Sequence, residues 1–93
     1  MGKDEKEMSG IGNWDLFRNK KDGKAYWNDI LKREIGSGKI WNIPLKKYGW
    51  GVGIFSSPYG KYSDKHVKVL IKKWFSTKKK AEEYMKNYMK KHP

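Results

Sequence analysis

Between Tyr48 and Phe55, large apolar residues alternate with glycine. Tyr48, Trp50, Val52 and Ile54 hold the even positions, and Gly49, Gly51 and Gly53 lie between them. A strand turns successive side chains to opposite faces, so this stretch predicts one bulky apolar face and one face of nearly bare backbone. Residues 66–75 keep the same period. Val67, Val69, Ile71 and Phe75 make an apolar face interrupted by Lys73, while Lys68, Leu70, Lys72 and Trp74 make a basic and aromatic one. After Ser76 the period changes. Ala81, Tyr84, Met85, Tyr88 and Met89 recur at i, i+3, i+4, i+7 and i+8, which is the stripe of an amphipathic helix. Ser76 or Thr77 is placed to cap its first turn, and Lys90 and Lys91 suit its negative end.

The earlier half is less periodic. Aromatic-rich runs at 14–19 and 24–28 flank Lys20-Lys21-Asp22-Gly23, and Asp-Gly predicts a hairpin in which glycine takes up a positive φ. Residues 29–35 fit either a strand or a short helix capped by Asn28 or Asp29 and ended by Gly36. Gly36-Ser37-Gly38 predicts a turn, and residues 39–43 a short strand stopped by Pro44. Residues 56–64, with Pro58 and Gly60, read as a connecting loop. Residues 1–13 mix charges with Gly10 and Gly12 and predict a disordered lead. Residues 14–93 then form one small basic α+β domain. Its antiparallel sheet of three to five strands packs on one C-terminal helix. That helix is expected to bury Tyr84, Met85, Tyr88 and Met89 against Trp50, Val52, Ile54, Val67, Val69 and Ile71.

Composition narrows the partner. The 93 residues suffice for one domain, and an aromatic content of 15% argues for a packed core despite only 37% hydrophobic residues. Lys and Arg number 22 against 10 Asp and Glu, a net charge of +12 that attracts polyanions. Only Arg18 and Arg33 are arginines, so contact with phosphate is favoured over bidentate reading of bases. The excess is greatest after residue 59, where 11 basic residues face 3 acidic ones. No apolar run approaches a membrane span or a signal sequence, and position 6 lacks the hydroxyl of a myristoylation signal. The expectation is an intracellular protein of the cytoplasm or nucleoid.

No catalytic array emerges. Cysteine is absent, and His66 and His92 are too isolated to hold a metal alone. A phosphate loop at Gly36-Ser37-Gly38-Lys39 would need glycine where Arg33 stands and a hydroxyl where Ile40 stands. Gly49, Gly51 and Gly53 lack the dinucleotide-binding spacing. Neither an enzyme nor a bound cofactor or metal is expected. The positive signal is lysine interleaved with aromatics on strands, since aromatics stack bases and cations track phosphates. Lys68, Lys72 and Trp74, with Lys46, Lys47 and Lys61, are the candidate contacts, on the sheet face opposite the helix. A bulge after Ile71 would instead turn Trp74 inward beside Phe75. Duplex DNA held through its backbone is the leading partner. Single-stranded DNA or RNA held by stacking is the first rival, and docking on an acidic protein is the second. A membrane surface is disfavoured, because the helix stripe carries Tyr and Met rather than Leu and Phe.

Residues 74–85, Trp-Phe-Ser-Thr-Lys-Lys-Lys-Ala-Glu-Glu-Tyr-Met, resemble the strand-to-helix junction of the amino-terminal arm-binding domains of tyrosine-type integrases and of the AP2-like DNA-binding fold. In that family an aromatic ends the last strand, Thr caps the helix, and the helix packs on a three-stranded antiparallel sheet that enters the major groove. The resemblance spans about residues 48–91 and implies DNA binding by the sheet. Residues 14–43 have no counterpart in it.

Overall fold

A computed structural model describes residues 11–93. Five strands, β1 (Trp14–Lys20), β2 (Gly23–Asn28), β3 (Arg33–Asn42), β4 (Lys47–Ser56) and β5 (Lys68–Phe75), form one antiparallel sheet in chain order, followed by helix α1 (Lys78–Lys91). The alternation in β4 sets the layers. Val52 and Ile54 are buried beneath Ala81, Met85 and Met89, and Trp14, Tyr26 and Ile35 extend this core across the sheet. Tyr84 and Tyr88, on the flanks of the stripe, are partly buried. The Tyr84 ring lies 5.3 Å from Phe75 of β5, and the Tyr88 ring 6.1 Å from Trp14 of β1. The helix therefore bridges both edges of the sheet. Thr77 caps it, its Oγ1 accepting from the Lys80 amide at 3.2 Å.

Four expectations change. Gly36-Ser37-Gly38 is the middle of β3, not a turn, paired with Ala25, Lys24 and Gly23 on one side and Gly53, Val52 and Gly51 on the other. Two ladders satisfy its backbone groups, and that outweighs the local turn preference of two glycines. Residues 29–32 form a turn and β3 starts at Arg33. Asn28 holds that turn, its Oδ1 accepting from the Ile30 and Leu31 amides at 3.0 and 2.9 Å. At the first hairpin Lys20 pairs with Gly23, and Gly23 has no positive φ. Glycine is needed there because a Cβ would collide with the Ser37 carbonyl oxygen of β3.

The fourth change is in β5. The register slips between Ile54 and Phe55 of β4, so Ile71 faces Ile54 while Val69, not Leu70, faces Phe55. This bulge reverses the alternation for the start of the strand. Val69 leaves the helix side and is exposed, and Val67 precedes the strand and is exposed too. Neither joins the core. The lead assigned to residues 1–13 lies outside the described residues as far as position 10. Residues 11–13 are tied down: Ile11 packs on the core, its carbonyl accepts from the Trp14 amide at 3.0 Å, and Asn13 Nδ2 donates to the Pro93 carbonyl at 3.2 Å.

Candidate nucleic-acid interface

Directly paired residues of neighbouring strands share a face. On the face away from α1, the pairing aligns two rows across all five strands. One row reads Lys20, Gly23, Gly38, Gly51, Trp74, and the other Arg18, Ala25, Gly36, Gly53, Lys72. Each row has at most a methyl group at its three central positions and a long side chain at both ends. Together they floor a groove of 610 Å³ with backbone, walled by Arg18 and Lys20 from β1 and by Lys72 and Trp74 from β5. Both sheet edges line one concavity, so the sheet curls around it.

Apolar side chains occupy part of that floor. The Trp74 indole lies where a side chain on Gly49 would stand, Ile40 reaches over Gly51, and the Phe55 ring reaches over Gly53. Above Gly38 the floor is open: a Cβ built there meets nothing closer than the Asp22 carbonyl oxygen at 3.9 Å. Two acidic residues, Asp22 and Glu34, also line the groove, and Glu34 lies 3.7 Å from Arg18. Burial pushes its carboxyl above the ordinary glutamate value, and the Arg18 charge offsets part of that rise. The groove thus combines a backbone floor, an apolar wall and cations on both rims.

The six sequence candidates divide. Lys72 and Trp74 lie together on the groove wall, with no bulge after Ile71 to turn Trp74 inward. Lys47 joins them, its Nζ 5.8 Å from the Trp74 ring. Lys46 is adjacent, exposed in the turn before β4 with a left-handed φ of 53°. Lys68 does not share the Lys72 face. It pairs with Ser56, two residues beyond the core residue Ile54, because the bulge reverses the face. Lys61 also stands apart. It lies in the loop between β4 and β5, with its Nζ 5.1 Å from the ring centroids of both Phe17 and Tyr62. The β4 register sets Lys47 and Ser56 at opposite ends of a ten-residue strand, roughly 30 Å apart, so Lys46 and Lys68 serve different ends of the sheet.

Arg18, Lys20 and the bare stretch Gly36–Gly38 escaped the sequence reading. A signal was present: Gly36 and Gly38 repeat the two-residue spacing of Gly49, Gly51 and Gly53. Among the described residues, no three His, Cys, Asp or Glu side chains gather as a metal site would require, and no helix is long and apolar enough to cross a membrane. Fold and groove together define a small α+β domain with a basic, concave, helix-free sheet face. Compared with known proteins, the chain matches no family model, no curated protein and no solved structure.

Proposed function

We propose that this protein binds nucleic acid, duplex DNA foremost, by seating a sugar-phosphate backbone in the glycine-floored groove. The observation that carries this reading is the pair of cross-strand rows, in which cations at both rims flank a floor left open above Gly38 and covered by Ile40 and Phe55 toward β4. A phosphate ridge gains most from such a site, because it can approach the sheet closely while Lys20, Arg18 and Lys72 neutralise it from two sides. The resemblance of residues 74–85 to domains that lay a sheet against DNA favours the same face. Single-stranded nucleic acid needs free aromatic surface to stack bases. In the groove the Trp74 indole is already engaged in covering Gly49, and the exposed rings of Trp41, Tyr48, Tyr59 and Tyr62 lie outside the groove lining.

Titration of a generic duplex at several salt concentrations tests the reading. Affinity is expected to fall linearly in log K against log salt, with a slope of roughly −4 to −7 for about five to eight phosphate contacts. Lys20→Gln and Lys72→Gln should each reduce that slope by about one unit. If Trp74→Ala instead costs about 1–3 kcal/mol of single-strand binding at an unchanged slope, stacking is the mode. If no nucleic acid binds even at low salt, an acidic protein partner takes its place.

A further inference from the structure

The β3–β4 hairpin outruns the sheet. Strand β2 accompanies β3 only as far as Gly38, and β5 accompanies β4 only from Trp50 onward. The pairs Ile40–Gly49, Trp41–Tyr48 and Asn42–Lys47 therefore form an arm with no strand paired on either side, its base packed by Trp74, roughly 10 Å of ribbon ending in the turn 43–46. Its tip is apolar and outward: Ile43 is 75% exposed and Leu45 54% exposed, with Pro44 between them. The tip is also fixed. The Ile43 carbonyl accepts from the Lys46 amide at 3.2 Å, and Asn42 Oδ1 accepts from the Leu45 amide at 3.0 Å. Proline after Ile43 sets φ in advance for such a turn. The stem is braced by the Trp41 and Tyr48 rings, 5.0 Å apart and edge to face, and Lys39 Nζ stands 5.1 Å from the Tyr48 ring.

A rigid apolar tip in water gains nothing by itself and calls for an occupant. The charges around it select one. Lys46 and Lys47 flank it, Lys39 stands at the base of the arm, and no acidic residue stands between Glu34 and Asp64. An apolar protein patch without acidic residues around it has no use for such one-signed charge, whereas a polyanion with an apolar interior does. Two surfaces meet that description, an anionic bilayer and a nucleic-acid duplex with its stacked bases. Continuity decides between them. Lys47 joins the arm to Trp74, and Trp74 joins it to the concave groove. A flat bilayer would meet the tip and miss Lys72 and Lys20 inside the concavity, whereas a duplex ridge lying in the groove passes on to the arm.

We propose that the β3–β4 arm is a second duplex contact that wedges Ile43, Pro44 and Leu45 between base pairs from the minor groove and bends the DNA. Apolar wedges of these residue types unstack a base step and kink a duplex by about 20–90° toward the major groove. The inference rests on the duplex reading above and adds to it a change in DNA shape. The arm then supplies deformation, and the groove supplies most of the salt-dependent affinity.

The test is energy transfer between dyes at the two ends of a duplex of about 30 base pairs, measured beside affinity for the intact protein and for the variant Ile43→Ser/Leu45→Ser. Both side chains are outside the core, so the variant should melt as the wild type does. Wild-type protein is expected to raise transfer, more so on a duplex with a central TA step than on an A-tract. The variant should bind within roughly tenfold of wild type at the same salt slope, since wedge contacts and unstacking offset each other, yet leave the duplex unbent. Duplex binding without bending by the wild type, or equal bending by the variant, overturns the wedge and leaves the groove reading intact. Absence of duplex binding overturns both. A third arm uses vesicles containing phosphatidylserine. Loss of vesicle binding in the variant, with duplex bending unchanged, assigns the arm to lipid and overturns the proposal.

Discussion

The indole of Trp74 occupies the space that a side chain on Gly49 would need. Trp74 pairs with Gly51 and reaches diagonally to cover Gly49, two residues further along β4 on the same face, and Gly49 is buried as a result. A large aromatic on one strand thereby shields bare backbone on the next. Ile40 over Gly51 and the Phe55 ring over Gly53 shield the other two glycines of the strand in part. The seat on Gly49 also fixes the orientation of a residue on the groove wall.

Gly49→Ala tests that seat. The added methyl would stand inside the indole, so either the ring or the strand must move. The expected cost is about 1–3 kcal/mol, as for other overpacked sites, read as a lower urea midpoint at unchanged m. The emission of Trp74, isolated by subtracting the spectrum of Trp74→Phe, should shift toward that of a more solvated indole.

Gly38→Val separates the groove from the fold. The position has negative-φ strand backbone and room for a side chain, and valine suits a strand better than glycine does. Thermal stability should hold or rise. Duplex affinity should fall by at least about tenfold, because isopropyl groups now stand on the open floor. Unchanged affinity would move the contact surface elsewhere on the protein.

Glu34 gives the site a pH dependence. Its carboxyl titrates above the ordinary glutamate value, chiefly through burial. Between the unfolded and folded values the folded state holds more protons, so this group's contribution to stability is fully present below the unfolded value and is lost as pH rises through the folded one. Protonation also removes a negative charge from the groove wall. Binding of a polyanion should therefore tighten as pH falls through that window. Glu34→Gln should bind more tightly at neutral pH and flatten both profiles, which parallel titration and melting experiments would read.

Asn28 anchors the start of β3 and the chain end together. It is fully buried, its Oδ1 accepts two amides, and its Nδ2 donates to the Pro93 carbonyl at 3.2 Å. Asn28→Ala strands these groups and should cost about 1–3 kcal/mol in denaturant unfolding. Asn28→Asp keeps the acceptor for the Ile30 and Leu31 amides but buries a carboxylate against the Pro93 carbonyl oxygen. It should therefore cost at least as much at neutral pH, and less as pH falls and the carboxyl can donate.

The α+β class, the helix from Lys78 with its Thr77 cap, and the apolar face of β4 could be read from the chain, because each rests on a local period or on hydrogen bonds within one turn. The same period placed Lys72 and Trp74 together. What the sequence alone left undecided depends on partners distant in the chain. Gly36-Ser37-Gly38 became strand because β2 and β4 flank it on both sides. Lys68 left the Lys72 face because one extra residue at the Val69–Leu70 bulge reversed the alternation, and nothing in the local composition marks that slip. Arg18 and Lys20 sit about fifty residues from Lys72 and Trp74 in the chain, and only the curl of the sheet makes them two rims of one groove. A period fixes which residues share a face of one strand. Register and curvature, set by packing between strands, decide which faces meet.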